Sequence, residues 1–172
     1  WVTKDLETFN FDADASAGYT WDLSALQASM TPTYYSFANT GDTKYADDFK
    51  EAPIAGSTVG GLNYSFFESA DSSLYLHGYV LTSFSDGNTN ENLVDLDNPL
   101  KLLNYPIAYK DTQTSSTTYS YTEELKFDIG TLSSDIFGKN ERTVTADGYG
   151  IVKLSTGAEV EVLRLRIVEA SR

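Results

Sequence analysis

One polar segment of the chain has the spacing of a calcium-binding loop. Asp86, Asn88 and Asn90 match the first, third and fifth positions of such a loop, and Asp97 falls at the twelfth. Calcium takes about six to eight oxygen ligands, and alternate side chains of a loop can point at one centre. Glu91 stands where the loop normally has a glycine. The segment is therefore interpreted either as a calcium site or as a solvated acidic loop of turn-forming residues.

Tyrosine is the second residue type that could bind a ligand. The chain has 12 Tyr and 9 Phe, and sugar-binding domains present a few exposed rings to the faces of pyranose units. The candidates for such rings are Tyr34, Tyr35, Tyr64, Tyr119 and Tyr121. The adjacent pair Tyr34 and Tyr35 must point to opposite faces if the segment is extended, so one of the two should be exposed. The alternative is that these rings pack in the core and only their hydroxyls reach water.

The sequence offers little for acid–base or nucleophilic catalysis. His77 is the single histidine, and there is no cysteine. A Ser-His-Asp triad needs a serine and an aspartate beside the histidine, and the alternating segment around this histidine points to no such partners. With 25 Asp and Glu residues, paired carboxylates could be proposed almost anywhere, so their spacing selects no pair. We therefore expect no catalytic residues, a non-enzymatic protein, and no cofactor apart from the calcium considered above.

Charge and hydropathy each exclude one class of partner. The net charge is −13, with only 12 Lys and Arg residues and no basic cluster. Nucleic-acid binding requires a basic surface, so we expect no nucleic-acid partner. No apolar stretch approaches the roughly 20 residues that a membrane helix needs, so no membrane insertion is expected. Cations, neutral sugars or no ligand at all stay compatible with this charge.

Alternating apolar and polar residues predict strands along most of the chain. The clearest case is a hairpin between Thr143 and Ile167, in which Ser155-Thr156-Gly157 separates two alternating runs. We expect one face of the second run to consist of Val160, Val162 (or Leu163), Leu165 and Ile167, so this strand should be half-buried. Arg164 and Arg166 on the other face are expected to pair with carboxylates of neighbouring strands.

Turn signals every ~8–12 residues are typical of an antiparallel β-sandwich. We therefore predict an all-β fold, a sandwich of jelly-roll-like or Ig-like type, formed by one domain over residues 1–172. Only Lys44 to Glu51 and Ser133 to Phe137 could form short helical turns, and both are expected in connections.

Three sequence landmarks, in the order in which they occur along the chain, resemble motifs of a known group of exported proteins. Gly18–Leu26 (GYTWDLSAL) is similar to the run "G-x-x-W-D-[FL]-S-x-L" near the start of many exported Bacteroidetes proteins. Tyr105–Asp111 (YPIAYKD) resembles their "F-P-L-x-Y-G-D" turn, and Asp147–Arg166 resembles their "D-G-Y-G" hairpin. Lys110 stands in place of the family glycine, and Ser155 in place of a proline.

The resemblance implies an extracellular or cell-surface β-domain of a protein secreted by the type IX system. Such proteins usually continue into a C-terminal sorting domain, so the chain is expected to be truncated after Arg172. From the resemblance we expect an interaction, adhesion or spacer module whose partners are other surface or secreted proteins. The alternative is a carbohydrate-binding module, assisted by calcium, whose partners are glycans. A shared fold does not by itself give a function.

Overall fold

The computed structural model describes residues 17–24, 35–58, 63–85, 88–127 and 130–172. Nearly all of them belong to β-strands. The nine strands are β1 (Ala17–Asp22), β2 (Tyr35–Asn39), β3 (Ile54–Thr58), β4 (Tyr64–Ala70), β5 (Ser73–Ser85), β6 (Asn88–Asn104), β7 (Thr112–Phe127), β8 (Gly130–Lys153) and β9 (Glu159–Ser171). The prediction of an all-β fold is confirmed.

The chain divides into two compact units. In its described part, the small unit consists of residues 17–24, Pro106–Gln113 and Thr143–Val168. The large unit consists of the described residues between 35 and 105, together with Thr114–Arg142 and Glu169–Arg172. The prediction of one domain over residues 1–172 stays a prediction.

The large unit is a meander, because strands that follow one another in the chain are neighbours in the sheet. Its strand order is β8-β7-β6-β5-β4-β3-β2, and the pairs from β2 to β7 are antiparallel. All described strands hydrogen-bond into a single sheet, so the two-sheet arrangement of a sandwich is not confirmed.

The segment between β2 and β3 supplies the core of the large unit. Residues 40–53 cover one face of β3, β4 and β5, which we call the covered face. The core there consists of Tyr45, Phe49, Ala52, Ala55, Phe66 and Val80. A backbone hydrogen bond joins the two ends of the segment, in which the Thr40 N–H donates to the Pro53 carbonyl at 3.0 Å.

The predicted helical turn over Lys44 to Glu51 is a run of turns. A 3-10 helix over Thr40–Asp42 precedes it, and one α-type hydrogen bond joins the Phe49 N–H to the Tyr45 carbonyl at 3.1 Å. The other predicted turn, Ser133 to Phe137, is wrong, because these residues lie within β8. Five residues hold too few internal hydrogen bonds to favour a helix over strand pairing.

The small unit is built around Trp21 and the predicted hairpin. Trp21 in β1 is buried, and β1 pairs with β8 in parallel. Gly150 in β8 lies directly against the backbone of Tyr19, where a side chain would not fit. The strands β8 and β9 are joined by a turn at Gly157, whose φ of 82° suits glycine. The predicted hairpin is therefore confirmed.

One prediction about β9 is confirmed and another is wrong. Arg164 pairs with Asp147 of β8, with Nε 2.7 Å from Oδ1, as expected from the charge pattern. The apolar face of β9 is not buried as predicted, since Val160 and Ile167 are each almost half exposed. The alternation thus gives the strand correctly but not its faces or their burial, since Val160 and Ile167 are seven residues apart and fall on opposite faces of a regular strand.

Candidate functional site

The predicted ligand-binding tyrosines do not form one site. Tyr34 lies outside the described residues. Tyr35 begins β2, and its ring lies on the face opposite to the covered face. Tyr64 in β4 lies on the covered face, where its ring centroid is 5.3 Å from that of Tyr45. Tyr64 is therefore partly buried and packed against the core, and it cannot join Tyr35 in a binding surface.

Tyr119 and Tyr121 do lie together on β7. Their ring centroids are 6.4 Å apart with an interplanar angle of 18°, because residues two apart in a strand share a face. The Tyr119 ring lies over Gly138 of β8, where a methyl group would collide with it. Both rings are only partly exposed. This pair therefore packs on its own sheet more than it presents a free platform.

An exposed aromatic group lies at β2 and includes two residues that the sequence did not single out. Phe37 lies between two rings, with centroid distances of 5.2 Å to Tyr35 and 6.4 Å to Phe67. Tyr35 is 40% exposed and Phe37 is 66% exposed. We call Tyr35, Phe37 and Phe67 the aromatic cluster. The alternation of Tyr35, Ser36 and Phe37 could have indicated it, had β2 been assigned to the sheet edge.

A glycine in β3 brings these rings together. Gly56 is the cross-strand partner of Phe37. A methyl group on Gly56 would lie 2.6 Å from the Tyr35 ring and 3.0 Å from the Phe67 ring. The absence of a side chain lets both rings close over the strand and bury Gly56, which is a known way of protecting a glycine near a sheet edge.

The strand that carries the cluster lies at the end of the sheet. Among the described strands, β2 pairs only with β3, and all five of its side chains are exposed. Its sequence, Tyr-Ser-Phe-Ala-Asn, contains no charge. Edge strands usually carry Lys, Pro or a bulge that discourages further pairing. In β2 the exposed cluster and an uncharged edge occur together.

The predicted calcium residues are not brought together where the structure describes them. Asp86 lies outside the described residues, and Asn88 begins β6, so the prediction of a loop there is wrong. Asn90 is buried, whereas Asp97 is exposed and accepts a hydrogen bond from the Thr118 hydroxyl. Seven residues of strand hold Asn90 and Asp97 roughly 20 Å apart, so the two cannot share one ion.

The single histidine is engaged in an ion-pair geometry. His77 Nε2 lies 2.9 Å from Glu68 Oε2, at a point where the pairing of β5 with β4 shifts register. In the parts of the chain that the structure describes, no group of three or more His, Cys, Asp or Glu residues is arranged to hold a metal ion. Nor do those parts contain a helix long and apolar enough to cross a membrane.

Comparison with known proteins gives no relative. No family model matches the chain, and neither a curated protein nor a solved structure is similar to it.

Proposed function

We propose that the chain is a non-enzymatic interaction module, located outside the cell or on the cell surface, of a type IX-secreted protein. The observation that carries the proposal is the aromatic cluster on the uncharged edge strand β2. Contiguous exposed apolar groups of this kind mark interaction sites in soluble proteins more often than isolated exposed rings do. The resemblance of the three sequence landmarks supports the location.

The partner that fits this surface is an extended segment of another protein. A strand added to β2 would pair with its outer backbone groups, and apolar side chains at alternate positions would lie against Phe37 and its neighbours. Binding energy in such interfaces concentrates on a few aromatic anchors. Phe37 is the most exposed member and has a ring on each side, so it is the expected anchor.

A selection from a random peptide library displayed on phage tests the binding surface. We expect the enriched peptides to alternate apolar and polar residues and to bind with a Kd on the order of 1 μM. The double variant Tyr35→Ser and Phe37→Ser should weaken their binding at least about tenfold, because it removes both exposed rings. The matched control is Phe137→Ser in β8, whose ring is 76% exposed but lies outside the cluster.

Two results would contradict this surface. One is a selection that enriches no peptide above background, and the other is equal weakening by the cluster variant and by the control.

The location is tested separately with an antibody raised against the chain. We expect it to label intact, unpermeabilised cells or to find the protein in the medium. Detection only after lysis would overturn an extracellular location.

A further inference from the structure

A cavity of about 230 Å³ opens between β5, β6, β8 and β9 of the large unit. Its apolar wall consists of Leu76, Leu100 and Leu102, of which Leu100 is buried. Tyr79 of β5 also lines the cavity. The C-terminal residues of β9 complete the opposite side. None of the predicted site residues lies there.

Polar side chains of β8 and β9 face the cavity in connected pairs. The Ser171 hydroxyl hydrogen-bonds to Asn140 Oδ1 at 2.8 Å. The Asn140 side chain is also hydrogen-bonded to the Tyr79 hydroxyl, while burial raises the pKa of Tyr79 above its ordinary value. Tyr79 therefore stays neutral over the physiological range, and the cavity contains hydroxyl and amide groups that can both donate and accept.

The charged groups of the cavity already balance one another. Arg142 forms an ion pair with Glu169, and its Nε donates to the Leu102 carbonyl at 3.1 Å. Glu141 Oε1 lies 2.8 Å from Lys139 Nζ, and Glu141 Oε2 lies 3.4 Å from a guanidinium nitrogen of Arg172. An anionic or cationic ligand would have to displace one of these partners, and an anion would also meet a chain of net charge −13.

We propose that this cavity binds a neutral sugar residue, such as the end of a glycan chain. Planar amide, carboxylate and guanidinium groups can each hydrogen-bond to two neighbouring hydroxyls of a sugar. The hydrogen bonds and ion pairs described above fix the orientation of these groups, and so the direction of the donors and acceptors that stay available. The leucine wall and the Tyr79 ring offer an apolar surface to the C–H face of the sugar. This site gives the glycan-binding alternative a location, and it does not depend on the aromatic cluster.

Nuclear magnetic resonance titrations with free sugars test the proposal. The probes are glucose, galactose, mannose, xylose, fucose and N-acetylglucosamine, with glucuronate and glucosamine as charged counterparts. We expect at least one neutral sugar to give saturable shifts of the backbone amides that surround the cavity, with a Kd on the order of 1 mM. The charged counterparts of a binding sugar should bind more weakly.

A cavity-filling variant provides the matched control. Ala170 lines the cavity and is exposed, so Ala170→Trp occupies the space without disturbing the core. Sugar binding should be lost in Ala170→Trp and kept in Phe37→Ser, whereas peptide binding should show the reverse. The titration of the unmodified protein stands as a test even if Ala170→Trp does not fold.

Three results would overturn the sugar site. They are no saturable shift with any of the six neutral sugars, shifts that lie away from the cavity, and equal binding by a folded Ala170→Trp variant. The failure of the peptide selection described above would leave these measurements unaffected, so the two proposals can fail independently.

Discussion

Phe66 and Phe67 are neighbours in β4, yet they lie in opposite environments. Phe66 is fully buried on the covered face, where its ring stacks on Phe49 with centroids 4.0 Å apart and planes 9° apart. Phe67 points to the other side of the sheet, where it meets the exposed ring of Phe37. We call that side of β2, β3 and β4 the open face. The same three strands thus carry one aromatic group in a core and one in solvent.

The difference arises from the connection and not from the strands. Residues 40–53 place Tyr45 and Phe49 on the covered face, and no described residues of the large unit form a comparable layer on the aromatic cluster. Burial of an aromatic side chain is the larger contribution to folding, whereas contiguous exposed apolar groups mark interaction sites. The covered face should therefore determine stability, and the open face should determine binding.

The largest expected difference comes from replacing one phenylalanine on each face by alanine. Phe66→Ala should lower the free energy of unfolding by about 3–5 kcal/mol, because it removes a buried ring and leaves a cavity. Phe37→Ala should cost only about 1 kcal/mol, the value of its ring contacts, since its surface is already in water. Urea denaturation followed by fluorescence measures both. Comparable losses would show that the open face is also part of the core.

Adding one methyl group to a glycine on each face should give the next largest difference. A methyl group on Gly78 would collide with the Phe49 ring and with the Val94 carbonyl, and the carbonyl belongs to a paired strand and cannot move away. We expect Gly78→Ala to cost about 2–3 kcal/mol through overpacking. On Gly56 the methyl group would meet only the Tyr35 and Phe67 rings.

A side-chain ring can give way more easily than a paired backbone carbonyl, and alanine also restricts the unfolded chain, which favours folding by about 0.4–1 kcal/mol. We therefore expect Gly56→Ala to change stability by less than about 1 kcal/mol and to weaken peptide binding by spreading the cluster. Thermal and urea unfolding of both variants would check this. A larger loss in Gly56→Ala than in Gly78→Ala would reverse the assignment of the two faces.

Part of this organisation can be read from the sequence, because period-two alternation is a local property of a strand. It gives the all-β class and the hairpin at Gly157. It does not give the first part of β6, since residues 88–98 are rich in turn-forming residues and become a strand through pairing with β5. Nor does it separate Tyr35 from Tyr64, because the face that is buried depends on where residues 40–53 fold.

The cavity is beyond sequence reasoning for a related reason. Its walls come from strands that are far apart in the chain, such as Leu76 in β5, Arg142 in β8 and Glu169 in β9. Each of these residues is ordinary in its own segment. Only the tertiary structure brings them together, and no spacing in the sequence records their proximity. The predicted calcium site shows the opposite case. Its residues are regularly spaced in the sequence, but an extended strand holds them apart in the structure.

The smallest expected effect concerns two carboxylates of β6 at the rim of the covered face. Glu91 Oε1 lies 2.6 Å from Nζ of Lys44, which belongs to residues 40–53, and this ion pair lowers the pKa of Glu91 below its ordinary value of 4.5. Asp95 is the cross-strand partner of Gly78, and burial raises its pKa above the ordinary value of 3.8. The two shifts have opposite signs, so the two groups should affect stability in opposite ways.

At pH 7 both groups are ionised. Ionised Asp95 costs stability, because its folded pKa exceeds its unfolded pKa, and the cost disappears as the pH falls below 3.8, where both states are protonated. Asp95→Asn should therefore stabilise the protein at pH 7, by no more than about 0.5 kcal/mol since solvent screens this rim position. The gain should vanish at pH 3.

Glu91 contributes stability that is present above pH 4.5 and is lost as the pH falls through its lower folded pKa. Glu91→Gln should accordingly destabilise the protein at pH 7, and the difference from the unmodified protein should shrink in acid. Urea denaturation of both variants at pH 7 and pH 3 gives four differences with expected signs. A destabilising Asp95→Asn at pH 7 would mean that this carboxylate is held by favourable contacts.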